Sequence, residues 1–173
     1  MKKILIFTSL LFVLASCKSK KVAVQADGKT ETVEKTEEKP EREIFYTEQV
    51  RNDFRAVSDK TRDEFLNGYR ATDKKYSILF FTQGFNSEEV TVKNENDILF
   101  KGLVTTDKNT GLAKNMRIVN TEETEIFDAG SQKTIYISPK MASKHKFIYV
   151  MKGNQTDDKP YKITYSDNLR PAR

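Results

Sequence analysis

Residues 76–165 consist of short runs of β-branched and aromatic residues, each bounded by Gly, Asn, Asp or Pro. About eight such runs recur every eight to twelve residues or so, which is typical of an antiparallel β-sandwich or barrel. The gaps are too short for the crossover helices that a parallel α/β sheet requires. We therefore expect a mainly β domain, an antiparallel sandwich of jelly-roll or immunoglobulin-like type. The runs cover residues 76–82, 89–93, 98–105, 112–119, 122–128, 133–137, 146–151 and 161–165. Of these, 78–81 and 147–151 are apolar on both faces, which predicts central strands or strands beneath a helix.

The segment before these strands has a different pattern. Val50, Phe54 and Val57 are spaced by four and three residues, which favours one face of a helix. Thr47 could cap its N-terminus and Gly68 could end it. The sequence therefore predicts one N-terminal helix within residues 47–67, and a polar middle leaves open its division into two shorter pieces.

The start of the chain has the pattern of an export signal. A basic Met1-Lys2-Lys3 precedes an apolar run over residues 4–15, too short to span a bilayer comfortably. The motif Leu14-Ala15-Ser16-Cys17 follows, and it resembles the lipobox of bacterial lipoproteins. The resemblance implies cleavage after residue 16, a diacylglyceryl group on the sulfur of Cys17 and acylation of the new amine. Labelling of the protein with palmitate would test this lipidation. The alternative is a plain signal peptide, with the only cysteine of the chain there by coincidence.

Residues 17–43 are expected to be a lipidated cysteine and a flexible tether. From residue 18 to residue 43 there are seven basic and seven acidic residues and no aromatic one. Such a segment buries too little apolar surface to offset its ordering entropy. The alternative is a charged helix over 32–43, against which Pro40 argues. The folded domain is then expected at 44–173. Lys18, where an inner-membrane retention signal would be acidic, favours the outer membrane, with the periplasmic face preferred over the cell surface.

Catalytic and metal-binding residues are few. One cysteine and one histidine exclude a Cys-based zinc cluster and a His-rich site, so no cofactor is expected. His145 is interpreted as a surface or structural residue. The stretch 107–111 starts like a calcium loop but departs from its ligand spacing, and we interpret it as a hairpin turn. The basic end of the chain, 168–173, is interpreted as a loose tail.

Two hypotheses for function remain. The first is a binding or accessory-subunit module for an envelope protein or a glycan, neither an enzyme nor a nucleic-acid binder. Tyr136, Tyr149 and Tyr161 lie in the last three strands, and an exposed row of tyrosines would suit that role; the alternative is that these rings pack in the core. The second hypothesis is a small envelope hydrolase acting on glycan or peptide through paired carboxylates. Its candidates are Glu122, Glu123, Glu125 and Asp128.

Overall fold

The structure is a computed structural model that describes residues 42–95 and 97–171. These residues belong to one compact unit, Glu41–Arg173. Arg42, assigned to the tether on sequence, already packs on this unit, since its Nη1 lies 2.6 Å from Oε1 of Glu123. The signal peptide, Cys17 and residues 18–41 of the tether lie outside the described residues, and what the sequence says of them stays a prediction.

Nine strands and two helices make up the described part of the chain. The strands form two sheets, mostly antiparallel, so the predicted β-sandwich is confirmed. In chain order the elements are β1 (Tyr46–Val50), α1 (Asp59–Gly68), β2 (Tyr76–Phe81), β3 (Asn86–Lys93), β4 (Ile98–Thr105), β5 (Lys114–Val119), β6 (Thr124–Asp128), β7 (Lys133–Ile137), α2 (Pro139–Ala142), β8 (Phe147–Lys152) and β9 (Tyr161–Ser166).

The five-stranded sheet has the order β1-β9-β8-β2-β5. Two of its pairs, β1 with β9 and β2 with β8, are parallel, so a purely antiparallel sheet is the wrong expectation here. The physical reason is connection length. Between β2 and β8 the chain builds the whole other sheet, and a connection of that length allows a return in the same direction.

The four-stranded sheet has the order β4-β3-β6-β7, with every pair antiparallel. Its inner face packs on the inner face of the five-stranded sheet and forms the main core. Strand alternation selects the residues that take part, because every second side chain points inward. This core includes Leu79, Phe81, Ile148, Val150, Ile163 and Tyr165 on one side and Val90, Val92, Ile126, Ile135 and Ile137 on the other.

A second, smaller core lies on the outer face of the five-stranded sheet. Ile78, Phe80, Phe147 and Tyr149 point outward from β2 and β8 and are covered by Leu66 of α1 and its neighbours. Both strands are therefore buried on both faces and central in the sheet, as the sequence predicts.

The predicted helix is present but shorter. It begins at Asp59, where the side chain of Ser58 accepts a hydrogen bond from the amide of Thr61. Thr47 is not a cap, because it lies in β1 and pairs with Lys162 of β9. Before Ser58, residues 46–50 form β1 and residues 51–57 form an irregular segment. The strand is favoured over a helix because it pairs with β9, whose edge would otherwise be open.

Candidate functional site

The outer face of the five-stranded sheet carries a cleft of about 560 Å³ beside α1. Each strand contributes one residue to a row across its floor, in the order Gln49, Thr164, Tyr149, Phe80 and Asn115. The strand register places these residues side by side, since each is the pairing partner of the next. The volume is in the range of small-molecule sites.

Three segments of the chain wall this cleft. Helix α1 contributes Phe65, the β4–β5 connection contributes Leu112, and the end of the described chain contributes Leu169, Arg170 and Pro171. Leu169 is buried, so the interpretation of this end as a loose tail is wrong at residues 169–170. The amide of Val57 donates to the carbonyl of Leu169, which fixes the segment against the residues before α1.

The β4–β5 connection is held by Asp107. Its Oδ1 accepts hydrogen bonds from the amides of Thr110 and Asn109, each at 2.8 Å. Those bonds hold the pKa of the Asp107 carboxyl below its usual value. The predicted turn is therefore present, but it is not a hairpin, because β4 and β5 belong to different sheets. Gly111 has a φ of 67°, which suits glycine in this tight turn.

Three aromatic rings form the apolar part of the cleft. Phe80 stacks on Tyr149 with centroids 4.8 Å apart and on Phe65 with centroids 5.8 Å apart. The Tyr149 hydroxyl donates to the carbonyl of Asn168 and accepts from the amide of Arg170. Burial raises the pKa of Tyr149 to about 12, so the ring stays neutral at physiological pH.

Arg170 places a cation at the edge of this aromatic strip. Its guanidinium carbon lies 4.0 Å from the Phe54 centroid and 4.2 Å from the Tyr149 centroid. Those two rings are perpendicular and 6.1 Å apart, so the guanidinium occupies the corner between them. Its buried Nε has no hydrogen-bond partner among the described residues. Burial lowers the pKa of Arg170 from its usual value, and the group remains charged because an arginine is not deprotonated in proteins.

The charged residues that line the cleft are all of one sign. Its lining includes Arg51, Lys162 and Arg170 and, among the described residues, no Asp or Glu. Arg51 is neutralised by Asp53, which accepts two hydrogen bonds at 2.9 Å from outside the lining. No carboxylate of the described residues pairs with Lys162 or Arg170.

A second cavity, of about 410 Å³, lies by the N-terminal end of β8. His145 is one of its lining residues, and its Nδ1 lies 3.2 Å from Oδ1 of Asp167. Lys146, also in the lining, donates to the carbonyls of Asp73 and Tyr76. These contacts tie backbone segments together, which fits the interpretation of His145 as a structural or surface residue.

A buried charge cluster joins the two sheets. Lys152 of β8 donates from Nζ to Oδ2 of Asp128 at 2.7 Å and to Oε1 of Glu88 at 3.0 Å. The Tyr161 hydroxyl donates to the same Asp128 oxygen at 2.6 Å. The side chains of Lys152 and Asp128 are only 1% and 3% exposed. These contacts connect β8 and β9 with β3 and β6.

In this cluster, the hydrogen bonds together have a larger effect on the pKa values of Asp128 and Lys152 than burial has. Burial alone would raise the pKa of Asp128 and lower that of Lys152. The hydrogen bonds between them, with those from Tyr161 and to Glu88, reverse both effects. The pKa of Asp128 therefore lies below its usual value and that of Lys152 above it, and both groups are charged near neutral pH. Burial, followed by the bond to Asp128, raises the pKa of Tyr161.

The three predicted tyrosines do not form one exposed row. Tyr136 points outward from the four-stranded sheet, under the guanidinium of Arg42 at 4.2 Å from its ring centroid. Tyr149 and Tyr161 are 4% and 2% exposed. They lie on opposite faces of the other sheet, Tyr149 at the cleft and Tyr161 in the charge cluster. Tyr161 pairs with Lys152, which is three residues from Tyr149 along β8, and residues an odd number apart on a strand point to opposite faces. An exposed row is therefore wrong, and of the three only Tyr149 lines the cleft.

The four acidic candidates do not line the cleft either. Glu123 pairs with Arg42, and Glu125 pairs with Lys93 at 2.8 Å. Asp128 is the buried partner of Lys152. These contacts give the two-carboxylate hypothesis no further support. No group of three or more His, Cys, Asp or Glu placed to hold a metal ion occurs within residues 42–95 and 97–171.

Most residues of the cleft carry no recognisable signal in the sequence. Gln49, Asn115 and Thr164 are ordinary polar residues, and only the sheet order brings them together. Arg170 belongs to a segment whose Pro and Arg content is typical of a tail. The aromatic run of β2 was the one usable signal, since a strand that is apolar on both faces must have its outer face covered.

Comparisons with known protein families and with curated proteins find no match to this chain. In the described part of the chain, neither helix is long and apolar enough to cross a membrane.

Proposed function

We propose that this protein is a lipid-anchored envelope protein whose β-sandwich binds a small ligand in the cleft on its five-stranded sheet. The observation that carries the proposal is the cleft itself, about 560 Å³ in volume with an aromatic floor. Apolar clefts with a few convergent polar groups are the usual form of small-molecule sites. The position also supports binding, because the floor belongs to a rigid sheet whose other face is the main core.

The polar groups of the cleft are suited to orienting a ligand. Thr164 accepts a hydrogen bond from the Gln49 amide at 2.9 Å, and Asn115 accepts one from the Tyr69 hydroxyl at 2.5 Å. The amides of Gln49 and Asn115 retain further hydrogen-bonding capacity. Amides and hydroxyls at the edge of an apolar floor give orientation and specificity, which favours a binding role.

The anchor is a separate part of the proposal. The lipobox-like motif ending at Cys17 supports lipidation and, with Lys18, the periplasmic face of the outer membrane. Because Arg42 packs on the domain, residues 18–41 are left for the tether, and a flexible segment of about 24 residues would average about 25–30 Å end to end, enough to hold the domain off the lipid. Cys17→Ser should abolish palmitate labelling and move the protein from the membrane to the soluble fraction. A variant that still labels and still pellets with membrane contradicts the anchor.

The cleft is tested by filling it. The test protein is the full mature chain carrying Cys17→Ser, so that no detergent or acyl chain competes, and the probe is the neutral dye N-phenyl-1-naphthylamine. Met151 lines the cleft from β8, and Met151→Trp should reduce dye affinity about tenfold or more by occupying the floor. The matched control is Leu103→Trp, on an exposed position of the other sheet. Binding that is absent in the parent, or lost equally in both variants, contradicts the proposed site.

A further inference from the structure

We propose that the ligand of this cleft is an amphiphilic anion, a small molecule with an aromatic or acyl body and a carboxylate, sulfonate or phosphate head that pairs with Arg170. This inference rests on the proposed function and adds the chemical class of the ligand. It is carried by Arg170, which lies next to an apolar floor and has no carboxylate within ion-pair distance among the described residues.

The first step of the argument is charge. A guanidinium taken out of water needs compensation, and buried charges in proteins are normally paired. The rings of Phe54 and Tyr149 supply part of it through cation–π contact. The Asp53 carboxylate attracts the guanidinium as well, but it is hydrogen-bonded to Arg51. No described carboxylate lies within ion-pair distance of Arg170, and its buried Nε has no acceptor among the described residues. An anion bound in the cleft would supply the missing counter-charge for the guanidinium.

The second step is geometry. Arginine presents several N–H donors along its planar edge, which suits two-point binding of a carboxylate, sulfonate or phosphate. From the guanidinium the aromatic surface continues through Tyr149 to Phe80 and Phe65, in steps of 4.2, 4.8 and 5.8 Å. An anionic head at Arg170 would therefore place an attached apolar body over these rings.

The third step is the field around the site. Lys162 adds a second cation that has no ion-pair partner among the described residues. The two aspartates that contact lining residues from outside are already engaged, Asp53 with Arg51 and Asp107 with the amides of its own turn. A cleft lined by charges of one sign attracts ligands of the other. A neutral ligand would gain from the apolar floor alone, whereas an anion would gain from both features.

Two dyes that differ by one sulfonate test the inference. 8-Anilinonaphthalene-1-sulfonate has the skeleton of N-phenyl-1-naphthylamine plus the anionic group. On the full mature chain with Cys17→Ser, the sulfonate should bind more tightly than the neutral dye. Arg170→Gln should reduce sulfonate affinity about tenfold or more, as for loss of a charge-assisted hydrogen bond, and change neutral-dye affinity less than about twofold. Arg170→Lys should keep part of the preference.

The control variant is Lys101→Gln, which makes the same change of net charge on an exposed position of the other sheet. It should leave both affinities unchanged. If Arg170→Gln does not fold, the salt dependence of dye affinity in the parent protein provides the test. Raising NaCl from about 0.1 to 1 M shortens the Debye length from about 10 to 3 Å, so it should weaken the sulfonate and spare the neutral dye.

The outcomes separate the two proposals. Equal affinity for both dyes, unaffected by Arg170→Gln, overturns the anionic ligand and leaves the cleft as a binding site. No binding of either dye overturns the proposed function as well. The anionic group could also belong to a membrane surface. Sedimentation of the same chain with phosphatidylglycerol vesicles, lost in Arg170→Gln, would overturn a free small molecule, and we expect no such sedimentation.

Discussion

Replacing Lys152 by methionine should destabilise the domain far more than the same change in a surface ion pair. Methionine keeps most of the aliphatic stem and removes the ammonium, so Asp128 is left charged and buried. Asp128 would retain bonds from Tyr161 and from the amides of Gly130 and Ser131, but no cation. Breaking a buried pair on one side costs about 3–5 kcal/mol. Because Asp128 keeps these three donors, we expect a loss of about 3 kcal/mol, at the lower end.

Lys93→Met is the matched control. Lys93 lies 2.8 Å from Oε2 of Glu125, nearly the separation of the buried pair, but the two side chains are 48% and 31% exposed. Exposed pairs contribute about 0–1 kcal/mol. The two variants therefore compare similar ion-pair distances in different environments. We expect their losses of unfolding free energy to differ by about 2 kcal/mol or more.

Urea unfolding followed by circular dichroism provides the measurement. The midpoint should fall strongly for Lys152→Met and slightly for Lys93→Met, with the slope unchanged in both. Adding Asp128→Asn to Lys152→Met should recover part of the loss, because it removes the uncompensated charge. Equal small losses in both single variants would refute the reasoning, since burial would then make no difference to the value of the pair.

Asp128, Gly84 and Ser58 each contribute to stability in a way that a single measurement can test. The pKa of Asp128 lies below its usual value in the folded protein; its stabilisation is therefore fully present above the unfolded pKa near 4 and is lost as pH falls through the folded pKa. The unfolding free energies of the parent and of Lys152→Met should thus converge between pH 7 and pH 2, and a constant gap would contradict this. Gly84→Ala should cost about 2–4 kcal/mol, because φ is 91° and a Cβ would lie 1.8 Å from the Lys152 carbonyl oxygen. Gly68→Ala, where a Cβ meets nothing within 4 Å, is its control in the same urea assay. Ser58→Ala should cost about 1 kcal/mol by removing the cap of α1, and Ser87→Ala at an exposed position away from the helix should leave the helical signal unchanged.

The sandwich was predictable from the sequence because its strands carry their own signals. Alternation marks strands such as β3 and β7, and continuous apolar runs mark β2 and β8 as central. Turn residues such as Asp107 and Gly111 separate them. Each of these signals is local, so it can be read without knowing which strands become neighbours.

The pairing directions and β1 were not predictable in the same way. Val50, Phe54 and Val57 satisfy a helical spacing, yet residues 46–50 join the sheet because β9 offers them an edge. That preference comes from hydrogen bonds to residues more than 110 positions away, such as Thr164, the register partner of Gln49. Local propensity is a weak prior where tertiary pairing competes with it.

The cleft shows why a binding site of this kind escapes sequence reasoning. Its floor takes one residue from each of five strands, and the strand order that aligns Gln49 with Thr164, and Phe80 with Asn115, differs from the order of the chain. The sequence favours a site built from tyrosines in consecutive strands, but β7 and β8 belong to different sheets and Tyr136 cannot approach Tyr149 along one face. Arg170 carries no local signal for a related reason. A charged residue before a proline is usually solvated. Arg170 becomes significant only in the folded domain, where residues 169–171 pack beside α1 and place its guanidinium against Phe54 and against Tyr149 of β8.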